Sequence, residues 1–148
     1  MGADEPRPTL PRSMGERISF LLYRNAITAS ALADEMLREL GLTARAVGIL
    51  TMVIEREPMT QRSLGASIGV DKSTMVGLLD ELEGKGLVRR SRHPQDRRAF
   101  LIEPTDAGIA AQKRALQLLD RCEERYLKVL SPSEQDQLRK MLARLYAQ

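Results

Sequence analysis

Tryptophan is absent from the 148 residues, and two phenylalanines and three tyrosines are the whole aromatic complement. The 43% of hydrophobic residues suffices for a packed core, but one that is almost wholly aliphatic. A single cysteine, Cys122, excludes an intrachain disulfide and points to a reducing interior. The single histidine, His93, lies far from it in sequence, so a zinc ligand set is not available and no metal is expected. No apolar run approaches a membrane span: the densest, Ala46 to Ile54, is broken by Gly48 and Thr51. A secretory apolar region is missing too. The expectation is a soluble, cytoplasmic protein with no membrane partner. GxGxxG, P-loop and HExxH patterns are all missing, and one histidine outside any evident pocket serves no Ser/His/Asp set. An enzyme is not expected, nor is a cofactor.

What is present is charge in one place. Between Lys85 and Arg98 stand six Lys/Arg (Lys85, Arg89, Arg90, Arg92, Arg97, Arg98) against one acid, Asp96, a net of +5. The whole chain carries only +3, so the remainder sums to −2. An isolated basic run is usually a solvated face. A local basic patch in an otherwise acidic chain suits a polyanion better, provided its neighbours agree.

The neighbours have clear punctuation. Residues 1–12 hold three prolines and no periodicity, which predicts a disordered tail. Ser13 and Glu16 match a capping box, and an apolar stripe from Ile18 through Leu40 predicts a long helix closed by Gly41. Thr43 can cap a second helix with Val47, Leu50, Val53 and Ile54 inward. Thr60 can cap a short third helix, Gln61 to about Ile68, which Gly69 ends. Asp71 can cap a fourth, with Met75, Leu78, Leu79 and Leu82 buried. Then Leu87–Arg90 and Ala99–Ile102 read as two strands around the turn chemistry of Pro94 and Asp96. Thr105 can cap a fifth helix, roughly Asp106 to Leu130, and Ser131-Pro132-Ser133-Glu134 opens a sixth. No repeat or low-complexity segment interrupts this order.

A short helix, the turn Gly69-Val70-Asp71 and a helix opening Lys72-Ser73-Thr74 is the arrangement of a helix-turn-helix. Its second helix points its first residues into the major groove. Alone, Asp71, Ser73 and Thr74 need do no more than open a helix. With a basic hairpin directly after it, a winged helix-turn-helix is the better account, the hairpin's arginines lying on phosphates and the minor groove. Candidate DNA contacts are Thr60, Gln61, Arg62, Lys72, Ser73, Thr74, Arg90, Arg92, His93, Arg97 and Arg98. The fold class is mainly α with a small β-hairpin wing, long helices flanking the core.

From about Leu42 to Tyr146 the chain resembles the MarR family of bacterial transcription regulators. The residues that carry this are DKSTMVGLLDELEGKGLVRR, the following TDAG, and Asp96 to Thr105, which line up with the family's wing signature Asp-x-Arg-x-x-x-Val-x-Leu-Thr. Pro104 replaces the usual Leu of that signature, and Gly77 stands where many members carry an arginine. The resemblance implies a DNA-binding lobe at 42–104, with 13–41 and 105–148 interlocking in a twofold homodimer. It implies a pseudo-palindromic double-stranded operator, usually repressed, and in many relatives release by a small aromatic or phenolic ligand. It also implies that Asp96 pairs with Arg98 to shape the wing. Arg97, pointing the other way on an extended strand, is then the better DNA contact.

For a ligand, the polar positions on the first helix are Tyr23, Arg24, Asn25 and Thr28, which otherwise face solvent or the dimer seam. Cys122 lies on the stripe Leu118, Cys122, Tyr126, Val129, which favours a buried, inert thiol. Two alternatives stand beside the ligand-responsive regulator: a redox-responsive one acting through Cys122, and a winged-helix module that binds protein. A protein-binding module has little need of a basic wing.

Overall fold

The computed structural model describes residues 11–56, 58–96 and 98–147. The predicted tail thus lies outside the described residues except at Pro11 and Arg12, and so does Arg97. A single turn, α1 (Arg12–Gly15), leads into α2 (Ile18–Leu37), a 3-10 turn (Arg38–Leu40) and α3 (Ala44–Glu55). Then follow β1 (Met59–Thr60), α4 (Gln61–Ile68), α5 (Lys72–Gly84), β2 (Val88–Arg92), β3 (Phe100–Pro104), α6 (Asp106–Leu127) and α7 (Pro132–Tyr146).

The predicted caps organise most of this. Thr43, Thr60, Asp71 and Thr105 each accept a backbone N–H from the first turn of α3, α4, α5 and α6. Each satisfies one of the donors that a helix start leaves without a partner. Ser131 and Glu134 form the full capping box of α7, with Pro132 at the first helical position. The Ser13–Glu16 box does not form. Ser13 sits inside α1, Glu16 pairs with Arg12 at 2.9 Å, and α2 starts after Arg17 with no side-chain cap. The first long helix also stops earlier than its stripe suggested, because the chain tightens into the 3-10 turn before Gly41 reverses it at φ 62°.

Packing falls into two regimes. Leu37, Ile49, Leu50, Leu64, Met75, Leu79, Leu82 and Ile102 are fully buried in one cluster that also takes in Val88 of β2 and Ala115 of α6. Each such side chain contributes roughly 1.5–3 kcal/mol through burial, which holds α3, α5 and the sheet as one body. The long helices contrast with it: α2 buries only Ala33 and Leu37 at its C-terminal end, and α7 buries nothing. Polar links dock α2 and the 3-10 turn after it onto α6. Tyr126 donates its hydroxyl to Asn25 Oδ1 at 2.6 Å, and Arg114 reaches Glu39 at 3.1 Å.

The sheet has a strand the sequence did not disclose. β1 is two residues long and pairs antiparallel with β3 (Met59 with Ile102, Thr60 with Leu101), giving the order β1-β3-β2. It ties the start of α4 to the base of the wing. Behind the wing, α6 approaches so closely that a Cβ built on Gly108 would lie 2.0 Å from the carbonyl oxygen of Leu87. Only glycine fits there.

Candidate nucleic-acid interface

The turn between α4 and α5 is made by Gly69, left-handed at φ 71°, whose N–H and that of Val70 both return to the Gly65 carbonyl. This aims the start of α5 outward. Asp71 Oδ1 accepts the Thr74 backbone N–H at 3.0 Å, and the same carboxylate takes the hydroxyls of Ser73 (2.5 Å) and Thr74 (2.6 Å). The carboxyl is consequently held far below the ordinary range, first by Ser73 and then by Thr74. Lys72 stands exposed beside them.

The wing tip is fixed by main-chain and side-chain bonds. His93 N–H donates to Ala99 O at 3.1 Å, and His93 Nδ1 accepts from the backbone N–H groups of Gln95 and Asp96 at 3.2 and 3.1 Å. His93, one of the candidate DNA contacts, thus shapes the turn through its Nδ1 and its main chain. Asp96 Oδ1 accepts the backbone N–H of Arg98 at 2.9 Å. The implied Asp96–Arg98 pair thus involves the main chain of Arg98, and the exposed guanidinium stays available.

The arginines divide into two groups. Arg89 is bound to Glu103 at 2.8 Å, across the hairpin. Arg90, its side chain only 22% exposed, reaches Asp80 at 2.6 Å and also pairs with Glu83, both on α5. Arg90 is one of the candidate DNA contacts, and its guanidinium fastens the wing to α5. Lys85 is likewise engaged, by Glu81 and by the Gly41 carbonyl. The +5 window is thus partly neutralised by acids that lie outside it. Arg92 spreads over the Phe100 ring, 5.7 Å from its centroid. Of the candidate DNA contacts, Arg62, Lys72 and Arg98, like several cations elsewhere, have no ion-pair partner among the described residues.

Those three cations line one cleft of about 730 Å³, floored by Val70, Met75 and Phe100. It lies between α4, the start of α5 and the wing. Thr60 and Gln61 border it, but the Thr60 hydroxyl is already occupied by Ser63 in capping α4. Gly77 is exposed, with nothing within 4 Å of a Cβ built on it, so α5 has a bare place in the middle. Elsewhere the four polar residues of α2 do not meet in one cavity. Tyr23 lines a shallow groove with Ile27 and Asp34, Asn25 is held by Tyr126, and Thr28 donates back to Arg24 O at 3.0 Å.

A turn-linked helix pair, a wing docked on its second helix and unpaired cations along one edge define a winged-helix DNA-binding transcription regulator. The family model for MarR matches residues 42–100. A protein of Thauera aromatica assigned as the transcriptional regulator of the hcr operon is 31% identical over 92% of this chain and 82% of its own length. The CouR repressor bound to a 23-mer DNA duplex superposes at a TM-score of 0.85 with 28% identity, over 93% of this chain and 99% of that one. CouR of Rhodococcus jostii RHA1 bound to p-coumaroyl-CoA gives 0.77 with 31% identity, over 89% and 93%. The chain belongs to the MarR family.

Proposed function

We propose that this regulator represses transcription as a homodimer, residues 42–104 of each copy reading half of a pseudo-palindromic operator. It has no catalytic role and works in the cytoplasm. The observation that carries the DNA reading is the triad Arg62, Lys72 and Arg98, unpaired among the described residues on one edge of the lobe. Phosphates are the counter-charges for these three cations, whose cleft is lined by one acid, Asp96. Ser73 and Thr74 are positioned for the major groove, and Arg97 is assigned to the minor groove or a phosphate. Apolar side chains left exposed on α2 (Ile18, Tyr23, Ile27) and α7 (Met141, Leu145, Tyr146) are the surface a second copy would bury. A small aromatic effector that releases DNA is the proposed signal, and the p-coumaroyl-CoA-bound relative supports that chemical class. A redox signal through Cys122 has less support, since the thiol is buried and burial pushes its pKa up.

Selection of bound duplexes from random DNA, followed by gel shift at several salt concentrations, tests the reading. An inverted-repeat motif with steep salt dependence is expected. Binding to no duplex, or equally to all, would refute it. Addition of hydroxycinnamic acids and their thioesters should then dissociate the complex.

A further inference from the structure

A serine or threonine hydroxyl carries one proton and two lone pairs, and an ionised carboxylate can only accept. Both facts bear on the start of α5. Asp71 Oδ1 lies 2.5 Å from Ser73 Oγ, and Oδ2 lies 2.6 Å from Thr74 Oγ1. The only proton of each hydroxyl is thereby committed to Asp71. Capping alone does not require this: α3, α4 and α6 are capped by a threonine that accepts a backbone N–H. Asp71 takes that bond too, from Thr74, and two hydroxyl protons besides.

We propose that Asp71 sets the hydrogen-bond polarity of the recognition helix, so that Ser73 and Thr74 read DNA as acceptors. Their outward lone pairs fit the exocyclic amino groups of adenine and cytosine, the donors of the major groove. They do not fit phosphate oxygens, purine N7 or guanine O6, which are acceptors themselves. A hydroxyl turned toward a phosphate would give up a charge-assisted bond to Asp71 and bring that carboxylate close to the phosphate. Phosphate contact is left to Arg62, Lys72 and Arg98. This specificity role rests on the DNA-binding reading above and adds the class of base edge it recognises.

The test uses full-length protein and a duplex enriched from random DNA. Amino groups are deleted one at a time within a half-site, purine replacing adenine and pyrimidin-2-one replacing cytosine. Acceptors are deleted in parallel with 7-deazapurines, and the melting of every free duplex is measured. The wild type should lose about three- to tenfold in affinity at one or two amino positions, the value of a single hydrogen bond per half-site. Asp71→Asn keeps an oxygen for the Thr74 N–H but presents an amide N–H to the Thr74 hydroxyl, reversing it. The amino penalty at that base should then vanish and an acceptor penalty replace it. Thr74→Val removes the hydroxyl at nearly constant volume and should abolish the same penalty while leaving the salt dependence unchanged. It keeps the proposal testable if Asp71→Asn folds poorly by circular dichroism. Salt-dependent binding that ignores every amino deletion, or one deletion profile shared by wild type and Asp71→Asn, overturns the proposal. No salt-dependent duplex binding at all would overturn the DNA reading first and this role with it.

Discussion

At the scale of single residues, two glycines of opposite character make the sharpest predictions. Gly108 faces the Leu87 carbonyl, which also accepts the Thr105 N–H at 3.1 Å, so an added methyl has to push the wing base away from α6. Gly108→Ala should cost about 2 kcal/mol in a denaturant titration, within the range of overpacked cores. Gly77 is its converse, lying mid-helix with open space around it. Gly77→Ala should stabilise by about 0.5–1 kcal/mol through helix propensity alone. Acid should act through a few carboxyls. Asp71 is held low by Ser73 and Thr74, Glu103 by Ser91 and Arg89, and Glu134 by Ser131. A depressed folded-state pKa contributes stability that is present above the unfolded value and lost as pH falls toward the folded one. Melting temperature should therefore decline as pH drops below about 4.5. Asp71→Asn should shallow that decline.

At the scale of elements, the wing separates the ion-paired Arg89 and Arg90 from Arg98, the arginine proposed to meet DNA. Arg98→Ala should leave stability alone and lower the slope of log affinity against log salt by about 1.8 for two copies. Arg90→Ala should do the reverse. It leaves Asp80 and Glu83 facing each other without their shared cation, costing roughly 1–2 kcal/mol of stability with little change in slope. Asp96 gives a finer contrast, because its acceptor role toward the Arg98 N–H survives in Asp96→Asn and is lost in Asp96→Ala. Only the alanine variant should weaken binding. The sequence made helices legible where the cue was local: Thr43, Thr60, Asp71, Thr105 and the Ser131–Glu134 box each act within three residues. It concealed whatever depended on distant partners. β1 exists because β3 lies beside it, and two residues carry no periodicity. The wing looked more basic than it is because Asp80, Glu83 and Glu103 stand outside any window drawn around it. The ion pairs of Arg90 with Asp80 and Glu83 were hidden for the same reason, since nothing local reveals where its side chain turns.

At the scale of the molecule, what remains unburied decides assembly. α6 has 22 residues and so runs about 33 Å, yet of the helices beside it α2 buries only Ala33 and Leu37 within one copy and α7 buries no residue. Ile18 is 71% and Tyr146 91% exposed, and Leu142 and Leu145 sit on the same face of α7 as Leu138 at helical spacing. Such a surface is a liability for a monomer and an interface for a dimer. Light scattering of the full chain at micromolar concentration should give twice the monomer mass. Leu142→Glu combined with Leu145→Glu adds charge to exposed positions, so the lobe core around Leu50 and Leu79 should keep its melting behaviour while the mass halves. In the proposed dimer, operator affinity should depend on both lobes being held on one scaffold, because the second half-site is then engaged at high effective concentration. Its loss should weaken binding to the full inverted repeat by on the order of 10²–10⁴-fold. Binding to an isolated half-site should hardly change. A double variant that remained dimeric, or a monomer that kept the wild-type affinity for the full repeat, would mean that these helix faces serve something other than self-association.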